Sequence, residues 1–300
     1  MTAPTTTATA VGGYAALDAA YRAAVAQTSI AVAQGLLYRW TSVSSDDLAG
    51  TAAGWLIDGV GLVLAGQRRA ADIANRYTLA VRGIAAPGAP AFTPPPLRPP
   101  NEEQIRNSLE FVAFKQTGRE IGRLVAVRDA GYAEPDDREE GESPDRESAD
   151  RTFQGRREQL MRDAIQRAAG AAVRHITSAG HRQIEDNVRS DSVAIGWART
   201  TKPGCCYFCA MLASRGFVYK EESFEESNAR FEGMGEQKVH DNCGCGMRPL
   251  YSRADPLPDR SEELERMWIE MSDETNFGGK QAVNEFRRRY EASELARPLN

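Results

Sequence analysis

Apolar residues recur at helical spacing through most of the chain. Between Gly12 and Trp40 the sequence is rich in alanine, and its larger apolar residues lie three or four positions apart. This is the period of one buried helix face. The same period predicts helices in the following stretches: Asp47 to Gly83 (as one helix or two), Asn101 to Ala130, Arg151 to Arg189, Ser261 to Met271 and Lys280 to Ala292. We therefore expect a mainly α protein whose apolar stripes pack a core.

Details of the pattern refine two of these helices. Ser44 to Asp46 resembles an N-cap cluster for the second helix, and Asn101 is a candidate cap for the third. Within the third, a buried stripe is expected to consist of Phe111, Phe114, Ile121 and Leu124.

Two stretches interrupt the helical pattern. Residues 87–100 are rich in proline, which removes amide donors and favours extended backbone, so they are expected to form a semi-rigid linker. Residues 133–150 are rich in Glu and Asp and are expected to form an acidic, disordered linker. These breaks give the predicted organisation: a helical region 1–86, the linker 87–100, a helical segment 101–132, the linker 133–150, a cysteine-bearing domain 151–252 and a helical tail 253–300.

Charge and hydropathy narrow the classes of partner. The net charge of -5 disfavours general affinity for DNA or anionic membranes. The longest apolar stretch, Trp55 to Ala65, contains Asp58 and is shorter than the ~20 residues that span a bilayer. We expect it to be a buried helix and expect no membrane contact. The N-terminal residues lack the charged-then-apolar order of a secretory signal.

All five cysteines lie in one short region. Cys206 and Cys209 form a C-x-x-C pair, and His240, Cys243 and Cys245 follow together after an intervening stretch. Two such groups can supply four soft ligands to one tetrahedral ion. We favour Cys206, Cys209 and His240, together with Cys243 or Cys245, and expect Cys205 not to be a ligand. The alternative is a set of reduced thiols without metal.

A structural zinc fits these residues better than a catalytic one. A catalytic zinc keeps one position open, whereas here five side chains are available for four positions. A zinc deaminase would also need an upstream H-x-E motif, which neither His175 nor His181 provides. These two histidines are six residues apart, so they do not share a helix face, and surface or capping roles are expected for them. We name no catalytic residues and expect a protein that is not an enzyme.

The segment from Arg151 to Tyr251 resembles the MuF-like head-morphogenesis proteins of tailed phages, in particular the actinobacteriophage type, whose members are often labelled capsid maturation proteases. The order that carries the resemblance is Trp197, the C-x-x-C pair, Arg215-Gly216, Tyr219 and then H-x-x-C-x-C. It implies a mainly α fold of helical arms and linkers with a small α+β metal knuckle. It also implies the ligand pattern Cys206, Cys209, His240, Cys243 and Cys245, with Trp197, Arg215 and Tyr219 packed around it.

The function implied by the resemblance is that of a minor capsid protein. We expect it in the virion, inside the capsid or at the portal vertex, after assembly in the host cytoplasm. The expected partners are the phage portal protein, the major capsid protein and the scaffold, with self-association and contact with packaged DNA as further expectations. Two alternatives remain open: a capsid maturation protease acting on coat or scaffold, and a zinc-dependent DNA-binding virion protein that uses the arginine-rich helix Arg151 to Arg189.

Overall fold

The computed structural model describes residues 8–132, 146–202, 204–219, 241–258 and 260–297. Helices dominate these residues, and a small antiparallel sheet accompanies them. The helices are α1 (Ala8–Trp40), α2 (Leu48–Ala85), α3 (Glu102–Glu110), α4 (Gln116–Tyr132), α5 (Arg146–Ser190), α6 (Tyr207–Ala213), α7 (Ser261–Thr275) and α8 (Gly279–Ala292). The strands are β1 (Gly196–Thr200), β2 (Phe217–Tyr219) and β3 (Gly246–Leu250).

The prediction of a mainly α protein with a small mixed segment is confirmed. Asp47 to Gly83 forms one helix, α2, and Asn101 caps α3 by accepting a hydrogen bond from the Gln104 amide at 2.9 Å. Helix α5 begins at Arg146, so the last residues of the predicted acidic linker are helical. Residues 133–145 of that linker lie outside the described residues, and 87–100 have no regular secondary structure.

The chain divides into two compact units. The first, called the sheet unit here, contains residues 1–28, 67–99 and 176–300. The second, called the helical unit, contains residues 29–66 and 100–175. Because the boundaries fall within α1, α2 and α5, each of these helices contributes residues to both units.

The core of the helical unit is built around three aromatic rings. Trp40 lies 5.3 Å from Trp55 and 5.5 Å from Phe114, and the indole of Trp55 donates a hydrogen bond to the carbonyl of Leu36. Trp55 is almost fully buried, at 3% exposure. These contacts join the end of α1, the start of α2 and the helical segment that follows α3.

One detail of that segment differs from the prediction. Phe111 is 49% exposed, whereas Ile105, Leu109, Ala113 and Phe114 are buried. A residue two positions after Leu109 lies about 200° around the helix from it, so Phe111 faces away from the core. Residues Phe111–Lys115 form a π-helical turn, and within this turn Phe114 lies on the buried face.

Helix α2 has the length and composition of a membrane span. An 18-residue window of it has a mean hydropathy of 1.6, and 28% of that window is buried inside the protein. The prediction of a buried helix for Trp55 to Ala65 holds for one face only. Val60 and Val63 are buried, but Ile57 is 64% exposed.

The sheet of the sheet unit has the strand order β2-β1-β3, and both pairings are antiparallel. Thr200 at the end of β1 pairs with Gly246 at the start of β3. Consequently, the chain leaving β1 and the chain entering β3 lie at the same end of these two strands. The cysteines of the two sequence motifs are found at this end.

Candidate metal centre

The C-x-x-C pair is positioned by the start of α6. Cys206 is the N-cap residue, with extended backbone angles (φ -69°, ψ 157°), and its sulfur accepts a hydrogen bond from the Cys209 amide at 3.4 Å. Cys209 lies one turn into the helix and is buried, whereas Cys206 is exposed. The turn therefore directs both sulfurs to the same side of the helix start.

The second cysteine pair comes from the chain entering β3. Cys245 immediately precedes the strand, and Cys243 lies two residues earlier, after Asn242, which adopts a left-handed conformation (φ 61°). Asparagine tolerates this conformation better than most other residues. Since β1 and β3 are paired, this turn lies beside the segment that connects β1 to α6.

Three sulfurs meet at this point. The ligand atoms of Cys209, Cys243 and Cys245 all lie within 4.8 Å of one another, and Cys209 Sγ is 3.5 Å from Cys243 Sγ. A tetrahedral zinc with Zn–S bonds of about 2.3 Å places its sulfurs about 3.8 Å apart. The three thiols are therefore spaced as the ligands of one metal ion would be.

The sulfur cluster is enclosed by apolar side chains from three helices. Leu212 of α6, Leu264 and Met271 of α7, and Phe286 of α8 belong to the same buried cluster as the cysteines. Cys205 is buried there too, but its sulfur approaches the Tyr290 hydroxyl at 3.3 Å instead of completing the group of three. The Tyr290 hydroxyl also donates to the Cys205 carbonyl at 2.7 Å, which links α8 to the segment that precedes α6.

Helix α5 supports the second cysteine pair through its backbone. The Thr177 hydroxyl donates to the Cys243 carbonyl at 3.2 Å, and His181 Nε2 lies 3.0 Å from the Cys245 carbonyl. On the other side of the ring, Arg199 Nη1 is 3.2 Å from His181 Nδ1. Because a guanidinium can only donate, Nδ1 is the acceptor and Nε2 carries the proton that it donates to Cys245.

The expectation of surface or capping roles for the histidines is wrong. His175 is 8% exposed and His181 is fully buried. Burial, reinforced by the Arg199 charge, lowers the pKa of His181 to about 3, so its ring is neutral and keeps this hydrogen-bonding pattern. The four-residue spacing of Thr177 and His181 puts both on one face of α5 and is the sequence signal that could have identified them.

Comparison with protein families places these residues in a wider context. The family model described as VG15 protein matches residues 119–271, which is half of the chain and includes all the cysteines. The chain belongs to the VG15 protein family. It is accordingly a bacteriophage protein. No curated protein and no solved structure matches it.

In this VG15-family chain, the predicted ligands have different outcomes. Cys209, Cys243 and Cys245 are brought together, and Cys206 borders the group through its contacts with Cys209. His240 lies outside the described residues, so its ligand role stays a prediction.

The resemblance also implies three residues that flank the metal site, and the structure shows where each of them lies. Trp197 is buried on β1, and Tyr219 ends β2. Arg215 lies in the turn after α6, where partial burial lowers its pKa, and the packing role expected for it stays a prediction.

The pKa values of the clustered cysteines are shifted in different directions. Hydrogen bonds from Cys209 and Cys245 lower the pKa of Cys243, whereas hydrogen bonding to Cys206 and the other sulfurs raises the pKa of Cys209. The contact with Cys205 raises the pKa of Cys245 and lowers that of Cys205 to about 7. Without a cation, neighbouring sulfurs share protons because adjacent thiolates repel one another. A soft divalent cation would remove that repulsion, so this donor set fits zinc.

This protonation pattern predicts a steep pH dependence of zinc affinity. Zinc must displace at least the protons on Cys209 and Cys245, whose pKa values are raised, so binding strengthens as pH rises and weakens as it falls. With two protons released, the apparent association constant should fall roughly 100-fold for each pH unit between about pH 8 and about pH 6. Competition against a chromogenic chelator measures this slope, and a flat profile would contradict thiolate ligation.

The arginines of α5, which motivated the DNA-binding alternative, are largely engaged within the protein. Arg167 donates to Thr117 at 2.8 Å and to Glu120 at 3.1 Å, and Arg157 pairs with Asp46 at 2.6 Å. Arg174 donates to Ser108, and Arg189 pairs with Glu185. These contacts reduce the positive charge that α5 can offer to phosphates.

Proposed function

We propose that this phage protein is a head-morphogenesis protein of the MuF-like minor capsid type, and that its cysteine cluster holds one structural zinc ion. In this proposal Cys209, Cys243 and Cys245 supply three ligands. Cys206 supplies the fourth, because the C-x-x-C turn already directs its sulfur towards Cys209. The metal would fasten the β1–α6 connection to the start of β3.

The observation that carries the zinc assignment is the burial of three clustered sulfurs in an apolar core. Among the residues that the structure describes, Cys209, Cys243 and Cys245 are 2–5% exposed, so these three sulfurs are shielded from solvent. A catalytic zinc needs an accessible position for water or substrate. The arrangement therefore favours a structural metal that supplies folding free energy.

The assembly role rests on two observations. Membership of a phage protein family gives the setting, and the motif order from Trp197 to Cys245 gives the likeness to head proteins. Long helices joined by a proline-rich connection suit a protein that contacts several others during assembly. We propose the portal protein, the major capsid protein and the scaffold as partners, and the capsid interior or portal vertex as the location in the virion.

Intact-mass analysis of head particles assembled with and without this protein tests the proposal. We expect the protein at low copy number in the particles and a coat protein of unchanged mass. Its absence from both procapsids and virions would contradict the assembly role. A coat protein shortened only when this chain is present would instead establish the maturation protease and start a search for its nucleophile.

A further inference from the structure

The outer surface of the helical unit carries an apolar layer that the proposed function does not use. It consists of the exposed positions of α1 from Ile30 to Tyr38 and of α2 from Ala53 to Ala65, which we call the hairpin layer. Ile30 is 56% exposed, Leu37 43%, Tyr38 78% and Ile57 64%. The hairpin layer measures about 20 Å by about 20 Å, from the helical rise and the spacing of packed helices. Its roughly 400 Å² matches the size of patches that mark interaction sites.

The two helices form a continuous layer because they pack side by side. An added Cβ at Gly35 would meet Leu62 at 2.9 Å, and Arg39 pairs with Asp58 at 3.0 Å, so the helices run antiparallel with little space between them. The opposite faces of the same helices carry Leu36 and Trp55, which are buried in the core. The exposed positions therefore lie together on the outer side.

The glycines of the hairpin layer indicate what covers it. Gly54 and Gly61 are exposed, lie within α2, and have no described atom within 4 Å of an added Cβ. Glycine inside a helix costs about 1 kcal/mol relative to alanine, and packing within the described residues does not require it here. Small residues on an outer helix face allow another helix to approach closely. A lipid-facing surface would gain little from glycine and alanine, so a helical partner fits better.

Charge and shape point to a second copy of the same chain. Asp58 is the charged residue within the hairpin layer, and Arg39 at its border pairs with it at 3.0 Å, so the layer offers little net charge to an acidic or basic partner. In a two-fold contact the same patch lies on both sides, so the layer has to be complementary to itself. The layer also has both a projection and a recess. Tyr38 projects from it, and Gly50, Gly54, Ile57 and Asp58 line a cleft of about 530 Å³.

We propose that two copies of this chain associate through their hairpin layers, with α2 packed against α2 of the second copy. Two such layers bury roughly 800 Å² in total, which is less than a standard specific interface, so the dimer should be weak, with a dissociation constant of about 10 μM. Such a weak dimer would form where copies are concentrated.

Sedimentation velocity of the full chain at increasing concentration, up to about 100 μM, tests this proposal. The wild type should shift from its 32.8 kDa monomer towards a dimer. Gly61→Leu should raise the dissociation constant at least about tenfold by preventing close approach, and Ile57→Ser should weaken it independently. Gly155→Leu is the matched control, since Gly155 is an exposed glycine of α5 with no described atom near an added Cβ, and it should dimerise normally.

Circular dichroism checks that all variants keep the helical content of the wild type. A wild type that stays monomeric over this range would overturn the proposal, as would equal dimerisation of Gly61→Leu and Gly155→Leu. Sedimentation with neutral phosphatidylcholine vesicles is measured in parallel. A monomer that binds these vesicles, and loses binding with Ile57→Ser, would assign the hairpin layer to lipid instead and equally overturn the proposal.

Discussion

Replacing Cys209 and Cys243 together with serine is expected to abolish zinc binding and unfold the knuckle. Purified wild-type protein should contain one zinc per chain, and the double variant none. Apparent zinc-binding free energies of structural sites are about 10–16 kcal/mol at pH 7, as large as the total stability of an ordinary domain, about 5–15 kcal/mol. Helix α6 and strands β2 and β3 should therefore lose their fixed structure in the variant.

Elemental analysis of the purified protein gives the zinc content, and limited proteolysis reports the loss of structure. New cleavage sites are expected between β1 and β3 in the variant, while α3 and α4 of the helical unit keep the wild-type resistance. Adding a strong chelator to the wild type should reproduce the variant's cleavage pattern. Equal zinc content in wild type and variant would rule out this cluster as the metal site.

Two single variants make this test specific. Cys205→Ser should keep its zinc, because the Cys205 sulfur is directed to Tyr290 and Cys245 and lies outside the group of three, and a serine hydroxyl can keep the contact with Tyr290. Cys206→Ser should bind zinc more weakly than the wild type if Cys206 is the fourth ligand. Full affinity in Cys206→Ser would point instead to His240, which the sequence also predicts as a ligand, as the fourth ligand.

The sequence predicted the helices well because their apolar spacing is long and regular. In α1, Tyr21, Val25, Val32 and Leu36 all belong to the predicted stripe, and all four are buried. A pattern that repeats over several turns predicts a helix more strongly than a single turn does. Phe111 was wrongly assigned to the buried stripe of the third helix because the preceding turn was left out, where Ile105 and Leu109 fix which face is buried; Phe114 of that stripe is buried as predicted.

The candidate site was only partly accessible from sequence. The C-x-x-C and C-x-C spacings identify candidate ligands, because each spacing lets two thiols reach one ion without help from the rest of the fold. The supporting contacts of Thr177 and His181 come from a helix far away in sequence. They depend on how α5 packs against the turn before β3, which local spacing does not encode.

Contacts between charged residues in the core could not be predicted from local spacing either. Arg248 and Asp18 lie at opposite ends of the chain, and both are 2% exposed. Arg248 follows the cysteine pair on β3 and Asp18 is on α1, so their contact joins the sheet to the N-terminal helix within the sheet unit. The sequence shows only an arginine in a strand and an aspartate in an alanine-rich helix, with nothing that pairs them.

Replacing Arg248 with methionine is expected to destabilise the protein by about 3–5 kcal/mol, because it leaves a buried carboxylate without its counter-charge. Arg248 Nη1 lies 3.4 Å from Asp18 Oδ2, its guanidinium stacks over Tyr14 at 5.0 Å, and it donates to the Pro256 carbonyl. The Tyr77 hydroxyl donates to the other Asp18 oxygen at 2.5 Å, but a neutral donor does not replace the charge of the guanidinium. Urea unfolding followed by circular dichroism measures the loss.

The double variant Asp18→Leu, Arg248→Met separates the lost pairing from lost packing. Removing both charges leaves neither partner of this pair buried alone, so the double variant should be more stable than Arg248→Met alone, although it carries one more substitution. A surface pair provides the matched comparison: Arg287→Met breaks the exposed contact with Glu291 and should cost much less stability than Arg248→Met. If Arg248→Met costs no more than Arg287→Met, the buried pair does not hold α1 to the sheet. If the double variant is the least stable of the three, packing of the two side chains contributes more than their charges do.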